Sequence, residues 1–528
     1  MGPNSGANGG LAMDFEKSRY YEIREKLLFV SEARPEAYMT RKYVPIPERL
    51  VRCIWYDQRF NKKKLFTMDG LPVKVFSQGE WNMTGGPDFL EALVQIGDAD
   101  PVKAPVEIHV RSSDWHRHGH HANSEFRDVA LNVSMWHDDP RTVVYNDLNE
   151  PIAQVELCGA IEEELLDVAS EIDMENYPFA SSSRVGFCHK AMNGREANAA
   201  FVLELAGQER LLGKARRYWR ELLRRPFADV MYRAVMESMG YRPNKQAFRR
   251  LAACVPVEVV RSVERDAPPE QSALILQALF FGASGLFSNV PVDALDRETA
   301  DYCRELAAHW AANEKTLAGS FLHKKDWTHR GVRPANFPLR RMAAAAHLWA
   351  RLGVRGMERR IITLGEQIKR ERDPEAHRKI LSSLVEDLQQ PAEGYWKRRI
   401  NPGGAAMESA PSLIGKSHAL SMALNVILPL LVCRAGRQGD AELREAALQF
   451  FASAPRLDQH QITRIMRYRL FGDMNGGREL LRREIIQQGL IQVFFDFCDE
   501  NVRDCARCRF PELLRLGPEL PLGGGAPD

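Results

Sequence analysis

The chain has 528 residues, more than one ordinary hydrophobic core accommodates, so we expect two to four domains. Hydrophobic residues at 45% and charged residues at 27% are typical of a soluble globular protein. The formal net charge of +2 excludes a basic field over the whole molecule, so a nucleic-acid-binding surface would have to be local. Since no run of eighteen apolar residues and no secretory signal pattern is visible, the sequence predicts a cytoplasmic protein without a membrane partner.

The pattern of apolar residues changes near residue 190. A helical segment at 47–60 is followed, up to residue 147, by short apolar runs that Gly, Pro and Asp separate. Such runs predict strands, and the short separations favour hairpins over long helical crossovers. After residue 190 apolar residues recur every three or four positions, which predicts helices. The expected fold is an α+β N-terminal domain with a mixed sheet, followed by a large all-α region.

Composition also predicts where the domains begin and end. Residues 1–13 and 516–528 are rich in Gly and other breakers of regular structure, so we expect flexible tails there. A highly charged segment at 369–379 divides the helical part. The expected folded parts are the α+β domain at 40–185 and two helical regions at 190–368 and 380–515.

One predicted strand carries charged residues where a buried strand would have none. In "VEIHVR" (106–111), side chains alternate between the two faces, so Glu107, His109 and Arg111 share a polar face. Asp88 stands at the start of the preceding strand. It joins that face only if the turn between the strands is centred near residues 97 and 98, or if a bulge intervenes.

These residue types suit a divalent-metal hydrolytic site. Asp88 and Glu107 would bind Mg²⁺ or Mn²⁺, which prefer oxygen ligands. His109 would position or deprotonate water, and Arg111 would neutralise a phosphate group. The alternatives are a hydrogen-bonded polar face and an inactive site.

The following loop, "SSDWHRHGHH" (112–121), is rich in histidine. Imidazole is a common zinc ligand, so Asp114, His116 and His118 are auxiliary site candidates. The alternative is a solvated loop in which one histidine is packed.

Three of the nine cysteines, Cys498, Cys505 and Cys508, are closely spaced near the C-terminus. Thiolates at this spacing can bind zinc or an iron–sulfur cluster, whereas the alternative is free thiols in a reducing compartment. The spacing is similar to the first three cysteines of the iron–sulfur loop of endonuclease-III-like glycosylases. Leu514 stands where that pattern has its fourth cysteine, so another residue must supply the ligand, Cys433 being one guess.

The helical segment 209–226 is the most basic in the chain. Residues 209–250 contain twelve basic and four acidic residues, and such a surface could follow the backbone of DNA or RNA. The alternative is the ordinary solvated face of an amphipathic helix. The candidate nucleic-acid-binding residues are Arg216, Arg217, Arg220 and Arg224.

The strand motif resembles the PD-(D/E)xK nuclease superfamily. Pro87-Asp88 and Glu107-Ile108-His109 stand at the positions of its motif, although His109 replaces the lysine. The resemblance implies a restriction-endonuclease-like sheet and metal ligands at Asp88 and Glu107.

The chain as a whole resembles a bacterial family, domain-of-unknown-function family 2851, from about residue 45 to 510. The resemblance implies no activity. It rests on the stretches "LPVKVFSQGEWNMTGGPDF", "VEIHVRSSDWHRHGHH", "GVRPANFPLRRMAAAAHL", "NVILPLL" and "QQGLIQVFFDFCDENVRDCARC".

The residues together favour a divalent-metal-dependent, nuclease-like phosphodiesterase that acts on nucleic acid. In this interpretation the helical region would hold DNA, RNA or a protein partner. Two alternatives stay open. One is a non-catalytic interaction or scaffold protein with a structural metal site, and the other is a zinc hydrolase that uses the histidine-rich loop.

Overall fold

The chain folds into an N-terminal mixed sheet with helices and then a large helical region, which confirms the expected fold class. The predicted tail at 1–13 lies outside the described residues, as does the part of the predicted tail 516–528 that follows Glu519. The computed structural model describes residues 18–29, 46–83, 86–139, 143–178, 185–192, 194–287, 295–317, 321–329, 332–457, 461–472, 477–498, 505 and 508–519.

The elements of the N-terminal part are α1 (Arg19–Phe29), α2 (Glu48–Tyr56), β1 (Val73–Ser77), β2 (Glu80–Trp81), β3 (Phe89–Ile96), β4 (Val102–Arg111), α3 (Asp114–Arg117), β5 (Leu131–Trp136), β6 (Ala153–Glu156) and α4 (Leu165–Glu171). The strands form one sheet in the order β1-β3-β4-β5-β6, and β2 pairs with β3 outside this path. Strand β3 is antiparallel to β1 and β4, whereas β5 is parallel to β4 and β6.

The sequence favours hairpins over crossovers. This prediction is right for the antiparallel pairs β1–β3 and β3–β4, and it is wrong for the pair β4–β5. Because β4 and β5 are parallel, residues 112–130 must cross from one end of the sheet to the other. Among their described residues, the predicted runs at 64–68 and 142–147 contribute only isolated bridges, at Phe66, Thr67 and Tyr145. Periodicity predicts that a segment is extended, but it carries no information on the direction or identity of its partner.

A β-bulge in β3 changes the register of the β3–β4 hairpin. Ala92 pairs with Ala104, whereas Phe89 pairs with Val106, so β3 has one more residue than β4 between the two pairs. Glu91 lies in this bulge with a φ of +57°. This left-handed conformation is unfavourable for a residue with a Cβ atom.

The bulge decides which residue Asp88 faces. If the register near the turn continued unchanged, Asp88 would lie opposite Ile108, on the apolar face of β4. The bulge moves the pairing by one residue and places Asp88 opposite Glu107 instead. The sequence predicts that Asp88 and Glu107 meet only if the turn is centred near residues 97 and 98 or if a bulge intervenes. The structure has the bulge.

Helix α2 buries its apolar face against the sheet. Its hydrophobic residues recur with helical spacing, so one stripe faces the strands while the opposite edge carries charge. Arg52 on that edge reaches the start of β3, where it pairs with Asp88. The buried residues of the stripe are Leu50, Val51, Ile54 and Trp55, in one core with Val106 and Ile108.

The helices of the second part are α5 (Cys188–Met192), α6 (Glu196–Leu222), α7 (Phe227–Met239), α8 (Tyr241–Cys254), α9 (Val257–Asp266), α10 (Pro269–Ala283), α11 (Arg297–Asn313), α12 (Pro338–Arg370), α13 (Pro374–Leu388), α14 (Lys416–Met422), α15 (Leu428–Gln438), α16 (Ala441–Ala452), α17 (Gln461–Phe471), α18 (Glu484–Val493) and α19 (Phe510–Leu516). Helix α12 is interrupted at Gly353, which has a φ of +65°.

One hydrophobic core runs through the helical part from Cys188 to Leu514. It includes residues of both predicted helical regions, 190–368 and 380–515. Tyr20 of α1 also belongs to it, so the first described helix packs on the helical part rather than on the sheet.

Helices α6 and α18 cross in close contact because glycines face the opposite backbone. A Cβ atom at Gly207 would lie 2.1 Å from the carbonyl oxygen of Ile485, and one at Gly489 would lie 2.0 Å from that of Leu203. Since no side chain fits at either position, glycine is required at this crossing.

The segment Lys416–Gln438, which joins α14 and α15 through a π-helical turn, is long and apolar enough to cross a membrane by length and composition. However, 72% of its apolar window is buried inside the protein. A buried core helix can have the same length and apolar composition, so this segment is weak support for a membrane span.

The left-handed conformation of Glu91 generates a stability prediction. Glu91→Gly should unfold at higher urea concentration than Glu91→Val, with a difference of about 1–2 kcal/mol in the free energy of unfolding, because valine resists positive φ and glycine does not. Both variants lose the exposed ion pair with Lys103, so its contribution cancels.

The same pair of substitutions at Lys74 is the control, since this exposed position on β1 does not have a positive φ. There, valine should be the more stable variant. Equal stability of the two Glu91 variants would contradict the bulge.

Candidate functional site

Three imidazoles meet where the carboxyl end of β4 leads into the crossover to β5. His109 lies on β4, and His118 and His120 lie in the crossover. The centroids of the three rings are 5.2 to 5.5 Å apart. One ligand nitrogen from each ring lies within 4.8 Å of the other two, and within the described residues this is the only such group of three. The geometry is that of a potential metal centre.

His109 is held in one orientation by Asn132 of β5. The parallel register places Asn132 next to Glu107. Its amide oxygen lies 2.7 Å from His109 Nδ1. Because an amide oxygen can only accept, Nδ1 carries the proton and Nε2 has a free lone pair.

The Nε2 atom of His109 is buried and has no hydrogen-bond partner among the described residues. The side chain itself is 0% exposed. Burial and the neighbouring His120 and His118 hold the pKa of His109 well below its usual value. A neutral imidazole with an unused inward-facing lone pair is the form that binds a metal ion.

His118 and His120 are brought beside His109 by the local conformation of the crossover. Gly119 between them has a φ of +76°, a left-handed turn that glycine adopts without strain. His120 packs against Phe126 with the two rings tilted and their centroids 3.9 Å apart, and it also contacts Trp115. These aromatic residues form an apolar wall behind the imidazoles, while His118 is exposed to solvent.

Glu107 is the carboxylate closest to the imidazoles. Its Oε1 lies 3.2 Å from His120 Nε2, and its Oε2 accepts a hydrogen bond of 2.8 Å from the backbone N–H of Asp88. Burial raises the pKa of Glu107 well above its usual value, and the charge of Asp88 adds to this effect. A divalent cation at this place would stabilise the ionised form.

Asp88 lies beside Glu107 but is occupied by other partners. Its Oδ2 accepts a hydrogen bond of 3.1 Å from the backbone N–H of Ile108 and pairs with Arg52 Nε at 3.0 Å. The guanidinium already stands where a cation bound to this oxygen would stand. The predicted Asp88–Glu107 pair is therefore brought together, but only Glu107 faces the histidines.

The remaining predicted residues of this region mainly shape the loop. The backbone N–H of Arg111 donates to Asp114 Oδ2 at 3.0 Å, and Asp114 Oδ1 pairs with Arg117 at 2.8 Å. His116 Nε2 lies 3.2 Å from the carbonyl oxygen of Val143. Asp114 and His116 thus have structural partners, and of the three auxiliary candidates only His118 belongs to the imidazole cluster.

The four arginines predicted to bind nucleic acid lie on α6 and directly after it. Three of them are engaged in ion pairs within the chain, which balance much of their charge, whereas Arg220 is exposed. Their role in nucleic-acid binding stays a prediction. The pairs join Arg216 to Glu209, Arg217 to Glu237, and Arg224 to Glu164 and Asp167.

A cavity of about 640 Å³ opens where α4 faces α6, α7 and α18. Lys214 in its wall donates hydrogen bonds to Asn425 at 2.6 Å and to Gln488 at 3.0 Å. Burial, with a further contribution from Arg210, lowers the pKa of Lys214 to about 7. This amine is a second group with unusual chemistry, and none of the three cluster histidines lines its cavity.

Sequence reasoning missed several of these residues. His120 was visible as one of four loop histidines, but no local signal separates it from His116 or His121. Asn132 and Lys214 lie in segments that predict an ordinary strand and an ordinary basic helix.

The guess of Cys433 as the partner of the C-terminal cysteines is also replaced by the structure. The cysteine that joins Cys498, Cys505 and Cys508 is Cys188, which precedes them by more than 300 residues. Cys433 lies on α15 instead. Spacing within the C-terminal segment carries no information about so distant a residue.

Comparisons with known proteins identify a family but no activity. A model of the family described as "Protein of unknown function (DUF2851)" matches residues 48–459. No curated protein and no solved structure is found to match the chain. The matched range includes the sheet and the whole histidine cluster and ends before Cys498. Because the family is described as one of unknown function, the function has to be inferred from the geometry of the site.

The imidazole cluster generates a metal-binding prediction. His118→Ala should bind one zinc or cobalt ion fewer per chain than the unaltered protein, or bind it at least about 100-fold more weakly, since even outer-shell partners contribute about 10–100-fold to metal affinity. Isothermal titration and the visible spectrum of bound cobalt measure this. The cysteines are common to both proteins, so the difference reports the imidazole site alone.

His121→Ala is the matched control, because this histidine lies in the same loop and its ring contacts His116 rather than the cluster. It should leave metal binding unchanged. If His118→Ala and His121→Ala bind the metal equally well, the cluster is not a metal centre.

The lowered pKa of Lys214 generates a second prediction. Only the neutral amine reacts with an acylating reagent, so the labelling rate of Lys214 should rise with pH and level off above its pKa of about 7. An amine with the ordinary lysine pKa of about 10.4 would instead react faster up to much higher pH. Peptide mapping by mass spectrometry after brief labelling at each pH gives the curve for Lys214, and a rate that still rises steeply above about pH 9 would show that its pKa is not lowered.

Proposed function

The chain belongs to the DUF2851 family of proteins of unknown function, and from the geometry of its site we propose that it is a metal-dependent hydrolase of phosphodiester bonds. The ion would be held by His109, His118 and His120, with Glu107 beside it. This combines the zinc-hydrolase interpretation of the histidine loop with the phosphodiesterase interpretation of the strand motif.

One observation carries the proposal. The buried Nε2 atom of His109 has no hydrogen-bond partner among the described residues. One ring nitrogen of His109 lies within 4.8 Å of ligand nitrogens of His118 and His120. A buried polar atom without a partner is costly, and a metal ion would satisfy this one. The hydrogen bond from His109 to Asn132 is the kind of outer contact that orients histidine ligands of metal ions.

The residues fit zinc better than magnesium. Zinc binds nitrogen at about 2.0–2.1 Å, so tetrahedral ligand nitrogens are separated by about 3.4 Å. His118 is exposed, so its side chain has room to rotate toward the other two imidazoles. Magnesium prefers oxygen ligands, and the oxygen pair predicted for it is occupied on one side by Arg52.

His109, His118 and His120 would hold the ion, and an ion held by three protein ligands, as in catalytic zinc sites, would supply a Lewis acid that activates water and polarises a phosphoryl oxygen. Glu107 would accept a proton from the water as the water oxygen attacks phosphorus and the bond to the leaving oxygen breaks. Glu107 would then give this proton to the leaving oxygen, and Arg111 is the candidate for neutralising the phosphate charge.

The position of the cluster supports a large substrate. His118 is exposed, so the open side of the centre faces the protein surface. A nucleic-acid backbone lying across this surface could present its phosphate to the site, which is why DNA or RNA is the proposed substrate class. The chain's own phosphate-binding groups would be Arg111 and the neighbouring Arg117.

The proposal predicts metal-dependent cleavage that requires Glu107. Protein loaded with zinc or manganese should hydrolyse bis(p-nitrophenyl) phosphate and labelled DNA or RNA. Glu107→Gln should lower kcat/KM by at least about 100-fold, the usual contribution of a general base, while the metal content stays the same. Product formation and metal analysis are measured on the same samples.

Glu163→Gln is the control, because this exposed carboxylate lies in the same domain and pairs with Arg59 at the surface. It should keep full activity. Cleavage that survives in Glu107→Gln would point to a different site or a contaminant. A protein that binds the ion but cleaves no phosphodiester would instead be the non-catalytic interaction protein.

A further inference from the structure

Four cysteines from distant parts of the sequence meet at one end of the helical region. Cys188 begins α5, Cys498 ends the π-helical turn after α18, and Cys505 and Cys508 precede α19. Helix α5 packs against both α17 and α19. All four cysteines are free thiols.

Direct contacts join the segments that carry these cysteines. The backbone N–H of Phe187 donates to the sulfur atom of Cys505 at 3.2 Å. The sulfur atom of Cys508 lies 4.0 Å from the carbonyl oxygen of Phe497. The thiols of Cys188 and Cys498 each interact electrostatically with Cys505 and Cys508. The four sulfur atoms therefore share one site, and Cys188 completes the set of three that the C-terminal spacing indicates.

Arg469 of α17 supplies a positive charge next to this site. The residue is 5% exposed and interacts electrostatically with Cys188, Cys498 and Cys508. Its carbonyl oxygen accepts a hydrogen bond of 2.9 Å from the backbone N–H of Gly186. A centre bound by four thiolates carries net negative charge, and a buried guanidinium compensates such a charge.

Gly186 allows this close packing. A Cβ atom at this position would lie 2.8 Å from the sulfur atom of Cys188 and 3.1 Å from the carbonyl oxygen of Arg469. Any larger residue would push the chain away from the cysteines. The segment before α5 is thus shaped to present Cys188 to the other three thiols.

The spacing of the sulfur atoms favours a centre larger than a single ion. Zinc binds sulfur at about 2.3 Å, which sets tetrahedral sulfur atoms about 3.8 Å apart. In the part of the chain that the structure describes, no three of these sulfur atoms lie within 4.8 Å of one another, since the histidine cluster is the only group that meets this condition. A cluster of several iron atoms separates its four thiolate ligands more widely than a single ion does.

We propose that Cys188, Cys498, Cys505 and Cys508 ligate an iron–sulfur cluster that ties the beginning of the helical region to its end. The role is structural, because the cluster joins α5 to the segment before α19. The proposal does not depend on the proposed hydrolase activity.

The full chain, purified without oxygen, tests the proposal. We expect bound iron and acid-labile sulfide in equal amounts and a broad absorbance band at about 400 nm. Cys188→Ser should lose most of this iron and absorbance. Cys433→Ser, a matched control at a fully buried cysteine of α15, should keep both.

A labelling experiment on the unaltered protein covers the case in which Cys188→Ser fails to fold. With the cluster in place, all four cysteines should resist alkylation, and removal of the iron by oxidation and chelation should expose the four together in the mass spectrum. One zinc per chain at these cysteines without sulfide would overturn the assignment of the cluster. Alkylation of Cys188 while the iron stays bound would exclude Cys188 as the fourth ligand. Protein that takes up neither iron nor zinc, even after reconstitution with iron and sulfide, would show that the four cysteines are free thiols and would overturn the proposal.

Discussion

The parallel pairing of β4 with β5 is the constraint on which the site depends. It sets Asn132 beside Glu107, where its amide oxygen fixes the tautomer of His109. It also forces the chain to cross from one end of the sheet to the other between these strands, and that crossover carries His118 and His120. If β5 followed β4 as a hairpin, neither the fixed imidazole nor the loop histidines would come together.

Burial separates the roles of the two carboxylates that the bulge brings side by side. A charged group in the interior needs a compensating charge or hydrogen bonds. Asp88 receives both, from Arg52 and from the backbone N–H of Ile108. Glu107 receives one backbone hydrogen bond and lies beside an imidazole. Burial and the charge of Asp88 raise the pKa of Glu107 by more than Arg52 lowers it, so this is the group whose charge a bound cation would compensate. This difference moves the proposed ion from the acidic pair to the histidines.

The helical region is organised by contacts between distant segments. Helices α6 and α18 pack closely at Gly207 and Gly489, and one core extends from Cys188 to Leu514. The basic face of α6 is largely used for internal ion pairs, which leaves the cavity around Lys214 as its chemically unusual feature. The proposed cluster at the four cysteines would add a link between the two ends of this region.

The sequence by itself determined the α+β and all-α parts, the polar face shared by Glu107 and His109, and the cysteine triplet, because these follow from periodicity and spacing within short segments. The tertiary structure alone decided that β5 runs parallel to β4, that a bulge at Glu91 places Asp88 opposite Glu107, and that His120 and Cys188 complete their groups. These outcomes depend on which distant segments pair and in what register. Local patterns of hydrophobicity carry no information about such pairings, since many partners bury the same apolar face equally well.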